Sequence, residues 1–196
     1  MRSAGETILL SDADASLEAR FAVAIDAIDR VHVFPDSAPL IAVRGDDMLL
    51  VEAQYSPTEI RVHPGRPRRA IALLHEVGHF VDDQILLPGS LATESPELEG
   101  WRRAVLRSDS ILALRELAVR PPTPGARQHL LYLLRFTETF ARSYTQWVAL
   151  RSDSDELAAE LGDARAALNY SEFWDVDDFE EIAHELDKLL KFEESK

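Results

Sequence analysis

The spacing of apolar side chains divides this chain into short strands near its start and helices over the remainder. Leu17, Phe21, Ile25 and Ile28 recur every three or four residues, which predicts a helix capped by Asp14 or Ser16 and running to about Arg30. Four short apolar runs follow at 31–34, 40–44, 48–51 and 60–63. Turn residues separate them, including Pro35, Gly45-Asp46-Asp47, Ser56-Pro57 and Pro64-Gly65. Such punctuation is typical of hairpins, so a small, mostly antiparallel sheet is expected. A basic run at 66–69 leads into a helix over about 69–86, ended by Pro88-Gly89-Ser90. Another helical pattern spans 96–120 with a break near Asp109, and Pro121-Pro122-Thr123-Pro124-Gly125 reads as a linker. Helices are then expected at about 127–151, 155–168 and 177–192. Strands first and helices afterwards is an α+β layout. It predicts one domain over 1–196: a sheet lobe with its helix (1–83), a helical insert (84–127) and a helical lobe (128–196).

The helix beginning near residue 69 changes the picture from fold to chemistry. It contains His75-Glu76-Val77-Gly78-His79, an HExxH pattern in which residues four apart share a helix face, so His75 and His79 can reach one metal ion. Glu76 lies one position round the helix, placed to act on a water at the metal and so to serve as general base. Ile71, Leu73, Leu74, Val77, Phe80 and Val81 wrap most of this helix in apolar groups. Two histidines and a glutamate in such a setting carry a desolvation cost unless something coordinates them. Gly78 costs about 1 kcal/mol of helix propensity relative to Ala. A helix tolerates that most readily where another backbone or a ligand must come close.

A catalytic zinc needs a third protein ligand and an open position. The metzincin pattern would require Gly at 82 and His at 85, where this chain has Asp82 and Ile85. Glu138 is the first candidate. It borders a stripe formed by Leu130, Leu134, Thr137, Ala141, Tyr144 and Val148, where an unpaired carboxylate would be unfavourable. His129 on the same predicted helix is the leading alternative, followed by His184 with Glu181 and Glu185. His63 and His32 are expected to be ordinary sheet histidines. Asp83, four residues after His79, is favoured over Asp82 on spacing as the carboxylate that supports a ligating imidazole.

Composition narrows the chemistry. The chain has 196 residues and no cysteine, so a metal must be held by His and carboxylates, and disulfides are excluded. A formal net charge of −14 disfavours nucleic acid. Fifteen acidic side chains against five basic ones lie between 151 and 196. They form a solvated surface that can steer a peptide or protein substrate, basic segments above all. Neither a signal peptide nor a membrane-spanning stretch is read from the pattern, which makes the cytoplasm the default expectation. Oligomeric state is left open.

Two blocks resemble the gluzincin metallopeptidases, and in particular the catalytic domain of the anthrax-toxin lethal factor type. His75-Glu76-Val77-Gly78-His79-Phe80-Val81-Asp82-Asp83 is similar to that family's HExGHxVDD, and Glu138-Thr139-Phe140-Ala141-Arg142-Ser143-Tyr144 to its ligand helix. The stretch from Tyr55 to Pro64 is similar to the strand that rims the cleft in zincins and pairs with extended substrate. The resemblance implies a zincin-like fold, one zinc ion held by His75, His79 and Glu138, peptide-bond hydrolysis, and Glu76 as general base. The family also places a tyrosine seven residues before the ligand glutamate, where this chain has Leu131. Tyr132 is the nearest tyrosine, and on a continuous helix it would lie roughly 120° from Glu138. Only an irregular helix start would let Tyr132 stabilise an oxyanion. The rival reading is a non-catalytic or latent zincin-like module, with a structural metal and an acidic partner-binding surface.

Overall fold

The computed structural model describes residues 1–11, 15–65, 69–123, 125–166 and 172–192. The proposed cap at Asp14, the side chain of Ser16 and most of the basic run at 66–69 lie outside them. A short helix α1 (Ala4–Thr7) leads into β1 (Ile8–Leu10), α2 (Ala15–Val31) and β2 (Ile41–Gly45). β3 (Ala53–Ser56) and β4 (Glu59–Val62) form a hairpin, followed by α3 (Arg69–Phe80) and a wider π-helical turn at Val81–Ile85. Two 3-10 turns, Ala92–Glu94 and Pro96–Leu98, then precede α4 (Glu99–Arg107) and α5 (Asp109–Val119). The rest is α6 (Ala126–Leu133), α7 (Phe136–Arg151), α8 (Asp155–Ala166) and α9 (Val176–Leu190). The α+β expectation holds. Among the described residues, no helix is long and apolar enough to cross a membrane.

The sheet departs from the antiparallel expectation. Its order is β1-β2-β4-β3, with β1/β2 and β2/β4 parallel and only β3/β4 antiparallel. Helix α2 supplies the crossover that a parallel β1/β2 pair needs. The hairpin then inserts β4 beside β2 and leaves β3 at the edge. Two of the expected strands do not form. Residues 31–34 are the end of α2 and a single bridge from Phe34 to Arg2, and 48–51 is a loop in which Leu49 alone is buried.

His32 is therefore no sheet histidine. It follows α2, lies buried, and pairs its Nε2 with the Tyr144 hydroxyl at 2.7 Å. Burial pushes its pKa down to about 4 from the ordinary 6.5. The folded state thus prefers neutral His32, and the unfolded chain takes up the proton first. Stability should fall as pH drops from about 6.5 toward about 4, by up to ~3 kcal/mol. Urea unfolding of wild type and His32→Gln should differ in pH slope across that interval; parallel slopes would contradict this account.

Helices α3 and α7 form the central contact of the molecule. A Cβ at Gly78 would lie 2.7 Å from the Ala141 Cα and 3.1 Å from its carbonyl oxygen. The absence of a side chain at 78 is what lets α7 come this close, and the two helices carry the histidines and Glu138. Gly78→Ala would gain about 1 kcal/mol of helix propensity. It would also force backbone apart, and overpacking of this kind costs typically 1–3 kcal/mol. Net destabilisation is expected in urea unfolding; an unchanged midpoint would show that the crossing has slack. Glu160 of α8 fixes the start of α3, accepting from the Ile71 amide at 3.0 Å and from Arg20 at 2.8 Å.

The insert buttresses α7 from behind. Trp101 of α4 donates to Ser143 Oγ at 3.1 Å and stacks edge-on with Phe140. None of the described residues between 84 and 127 lines either cavity beside the histidines.

Candidate metal centre

The one-turn spacing of His75 and His79 places their rings edge to face, with centroids 4.9 Å apart. Both are turned toward α7. His75 Nε2 lies 3.3 Å from Glu138 Oε2, and His79 Nε2 lies 3.5 Å from Oε1. The three groups offer ligand atoms that all lie within 4.8 Å of one another. The two imidazoles approach different oxygens of the one Glu138 carboxylate. His75, His79 and Glu138 therefore form a group able to hold a metal ion.

Electrostatics agree with the geometry. Burial alone would raise the Glu138 pKa, yet the two imidazoles hold it far below the usual carboxylate range. Burial likewise opposes charge on His79, but Glu138, Glu76 and Asp82 together push its pKa up. Glu76 is itself buried on α3 and lines both cavities flanking the cluster.

No family model, curated protein or solved structure matches the chain.

The decisive irregularity is a helix break. The segment expected to be one helix over 127–151 is α6 and α7, separated at Leu134-Arg135, where Arg135 is extended (φ −67°, ψ 139°). Neither Gly nor Pro marks it. The Leu133 carbonyl left open by the break accepts from Thr139 Oγ1 at 3.1 Å and from the buried Arg142 guanidinium, satisfying an orphan acceptor at a helix end. The break swings Tyr132 into the cleft, where it lines both cavities beside Glu76 and Glu138. Burial, and then the Glu138 carboxylate beside its hydroxyl, push the Tyr132 pKa well up. Its ring is flanked by His129, nearly parallel at 6.4 Å, and by the Arg135 guanidinium at 5.5 Å.

The other candidates have different surroundings. His129 Nε2 lies 3.1 Å from Glu172 Oε1 and is not part of the cluster. His184 is exposed on α9. His63 Nδ1 accepts from the Gly65 amide at 2.9 Å. The wider turn at Val81–Ile85 re-aims the two aspartates. Asp82 points inward and accepts from the Thr93 amide (2.7 Å) and hydroxyl (3.0 Å). Asp83 accepts from the Tyr55 hydroxyl at 2.6 Å, and that tyrosine is stacked on the His79 ring with centroids 6.3 Å apart. Asp83 thus pairs with Tyr55, whose ring lies beside that of His79. Gln84 donates to the same hydroxyl at 2.7 Å and to the Pro57 carbonyl at 2.9 Å. The resemblance marked Tyr55 only as part of a rim strand, and Gln84 had no signal, because their contacts depend on β3 lying over α3.

β3 supplies the rim. The His63 amide donates to the Glu52 carbonyl at 2.8 Å, so alternation along the hairpin directs the N–H and C=O of Ala53 and Tyr55 away from β4, toward the sheet edge, which no strand among the described residues covers. Ala53, Gln54 and Tyr55 all line a cleft of about 800 Å³ on the His79 side. On the His75 side lies a smaller cavity of about 320 Å³, walled by Ile71, Ala72, Leu133 and Phe173.

Proposed function

We propose that this chain is a zinc-dependent endopeptidase of the gluzincin type with a zincin-like fold, and that the ion is held by His75, His79 and Glu138. One observation carries the reading. Two imidazole nitrogens one helical turn apart converge on one buried carboxylate, at 3.3 and 3.5 Å, beside Glu76 in an open cleft along a free strand edge. Zinc, when bound there, supplies a Lewis acid and lowers the pKa of water at the site.

The chain's own groups do the rest. An extended peptide adds to the edge of β3 through the outward N–H and C=O groups of Ala53 and Tyr55, which sets the scissile carbonyl across the cleft. Glu76 takes a proton from the attacking water at its carboxylate and hands it to the leaving amine as the carbon–nitrogen bond breaks. The Tyr132 hydroxyl, kept protonated by burial and by Glu138, donates to the oxygen that becomes negative in the transition state. Tyr55, held by Asp83 and Gln84, keeps the His79 ring in place. The acidic surface favours basic substrate segments, and a location in the cytoplasm remains part of this proposal.

The rival with a structural metal predicts a different response to chelation. The core around Phe80, Phe140, Tyr144 and Trp147 is held by apolar packing in which His75, His79 and Glu138 take no part. Treatment with a chelator should therefore abolish peptide hydrolysis while circular dichroism still shows a folded chain, and added zinc should restore turnover. Unfolding on chelation would favour the structural site instead.

A further inference from the structure

The loop between β2 and β3 is braced yet presents apolar side chains to water. The Asp46 amide donates to the Val62 carbonyl at 3.0 Å, the Met48 amide to Asp46 Oδ1 at 2.9 Å, and Arg61 to Asp46 Oδ2 at 3.2 Å. Leu49 is buried at 9% exposure and pins the loop, while Met48 and Leu50 stand at 85% and 92% exposure and Val51 at 52%. Adjacent exposed apolar groups on a loop braced in this way suit a contact surface. Their place gives the contact: they line the same cleft as Glu76, His79 and Glu138. Across it stands Tyr132, 40% exposed, with exposed Leu131 and Phe136 on the same stretch of chain.

We propose that Met48 and Leu50 form, with the Tyr132 wall, a clamp that selects a large apolar side chain of the substrate polypeptide on the His79 side of the scissile bond. The occupant is an extended peptide because the clamp adjoins the free edge of β3. The outward N–H and C=O groups of Ala53 and Tyr55 find partners in another backbone, which a lipid surface does not offer. A net charge of −14 opposes both an anionic membrane and a second copy of this chain at the same cleft. In a strand added to that edge, side chains alternate between faces, so the clamp reads one position and its second neighbours and is indifferent to those between. The proposal rests on the peptidase reading only for the position of the scissile bond.

Zinc-loaded wild type and the Met48→Gln/Leu50→Gln double variant are compared on short peptides randomised at each position. Both substituted residues are exposed, and equal urea midpoints establish that the fold is kept. Wild type should prefer Leu, Met or Phe at a position on one side of the cut. The double variant should lose about ten-fold in kcat/KM on those peptides, chiefly through KM, and keep its rate on peptides with Ala there. A second arm needs no turnover: fluorescence anisotropy of a labelled apolar peptide with Glu76→Gln, with and without the loop substitutions. A ten-fold weaker Kd in the loop variant supports the clamp even if no peptide is cut, an outcome that would sink the peptidase reading alone. Equal affinities overturn the clamp. So does a wild type that sediments as a dimer when the loop variant is a monomer, or loop-dependent binding to phosphatidylcholine vesicles without peptide preference.

Discussion

Replacing Glu138 by Ala should cost the protein its zinc. Substitutions around metal sites that leave every ligand in place typically cost 10–100-fold in metal affinity, and loss of a ligand should exceed roughly 100-fold. Glu138 is also the group on which both imidazoles converge, so its removal leaves His75 and His79 without the partner that aligns them. The variant should stay folded. Glu138 sits at the cleft end of α7, whereas the packing of that helix rests on Phe140, Tyr144, Trp147 and Val148, all fully buried. Competition with a chromogenic chelator reads the affinity directly. Full retention of zinc by Glu138→Ala would remove α7 from the site and return attention to His129.

Glu76→Gln should do the reverse, keeping zinc and losing the reaction. The amide is isosteric with the carboxylate and fits the same buried place on α3, but it cannot accept a proton. General base catalysis contributes typically 10²–10⁴-fold, and kcat should fall by about that factor with one equivalent of zinc still bound. The contrast between the two variants separates holding the metal from moving the proton. A Glu76→Gln protein that turned over peptide at the wild-type rate would eliminate the proposed mechanism.

How much of this could be read from the chain depends on whether the cause is local. The 3.6-residue period fixes which faces His75, His79 and Glu138 occupy, and the glycine at 78 announces a close approach that the Ala141 backbone supplies. Those residues were legible for that reason. The sheet was not. β1 is only three residues long. Turn punctuation marked the β3/β4 hairpin at Ser56-Pro57 but also suggested turns at Pro35 and Gly45-Asp46-Asp47 that join no hairpin, and it does not say which distant strands lie side by side. Residues 48–51 carry four consecutive apolar side chains and read as a strand, yet one anchors a loop and the others face the cleft. The break at Leu134-Arg135 was invisible because its stabilising partners, Thr139 and Arg142, come from the next helix. That break decides where Tyr132 stands: on one continuous helix it would lie roughly 120° from Glu138, and the chain builds two helices there.

The measurement that tests the central claim most directly is peptide cleavage by the zinc-loaded wild type, with products identified by mass spectrometry across a diverse peptide library. The account predicts internal cuts that stop on chelation and resume when zinc is returned. A protein carrying one equivalent of zinc that cuts no peptide would contradict it.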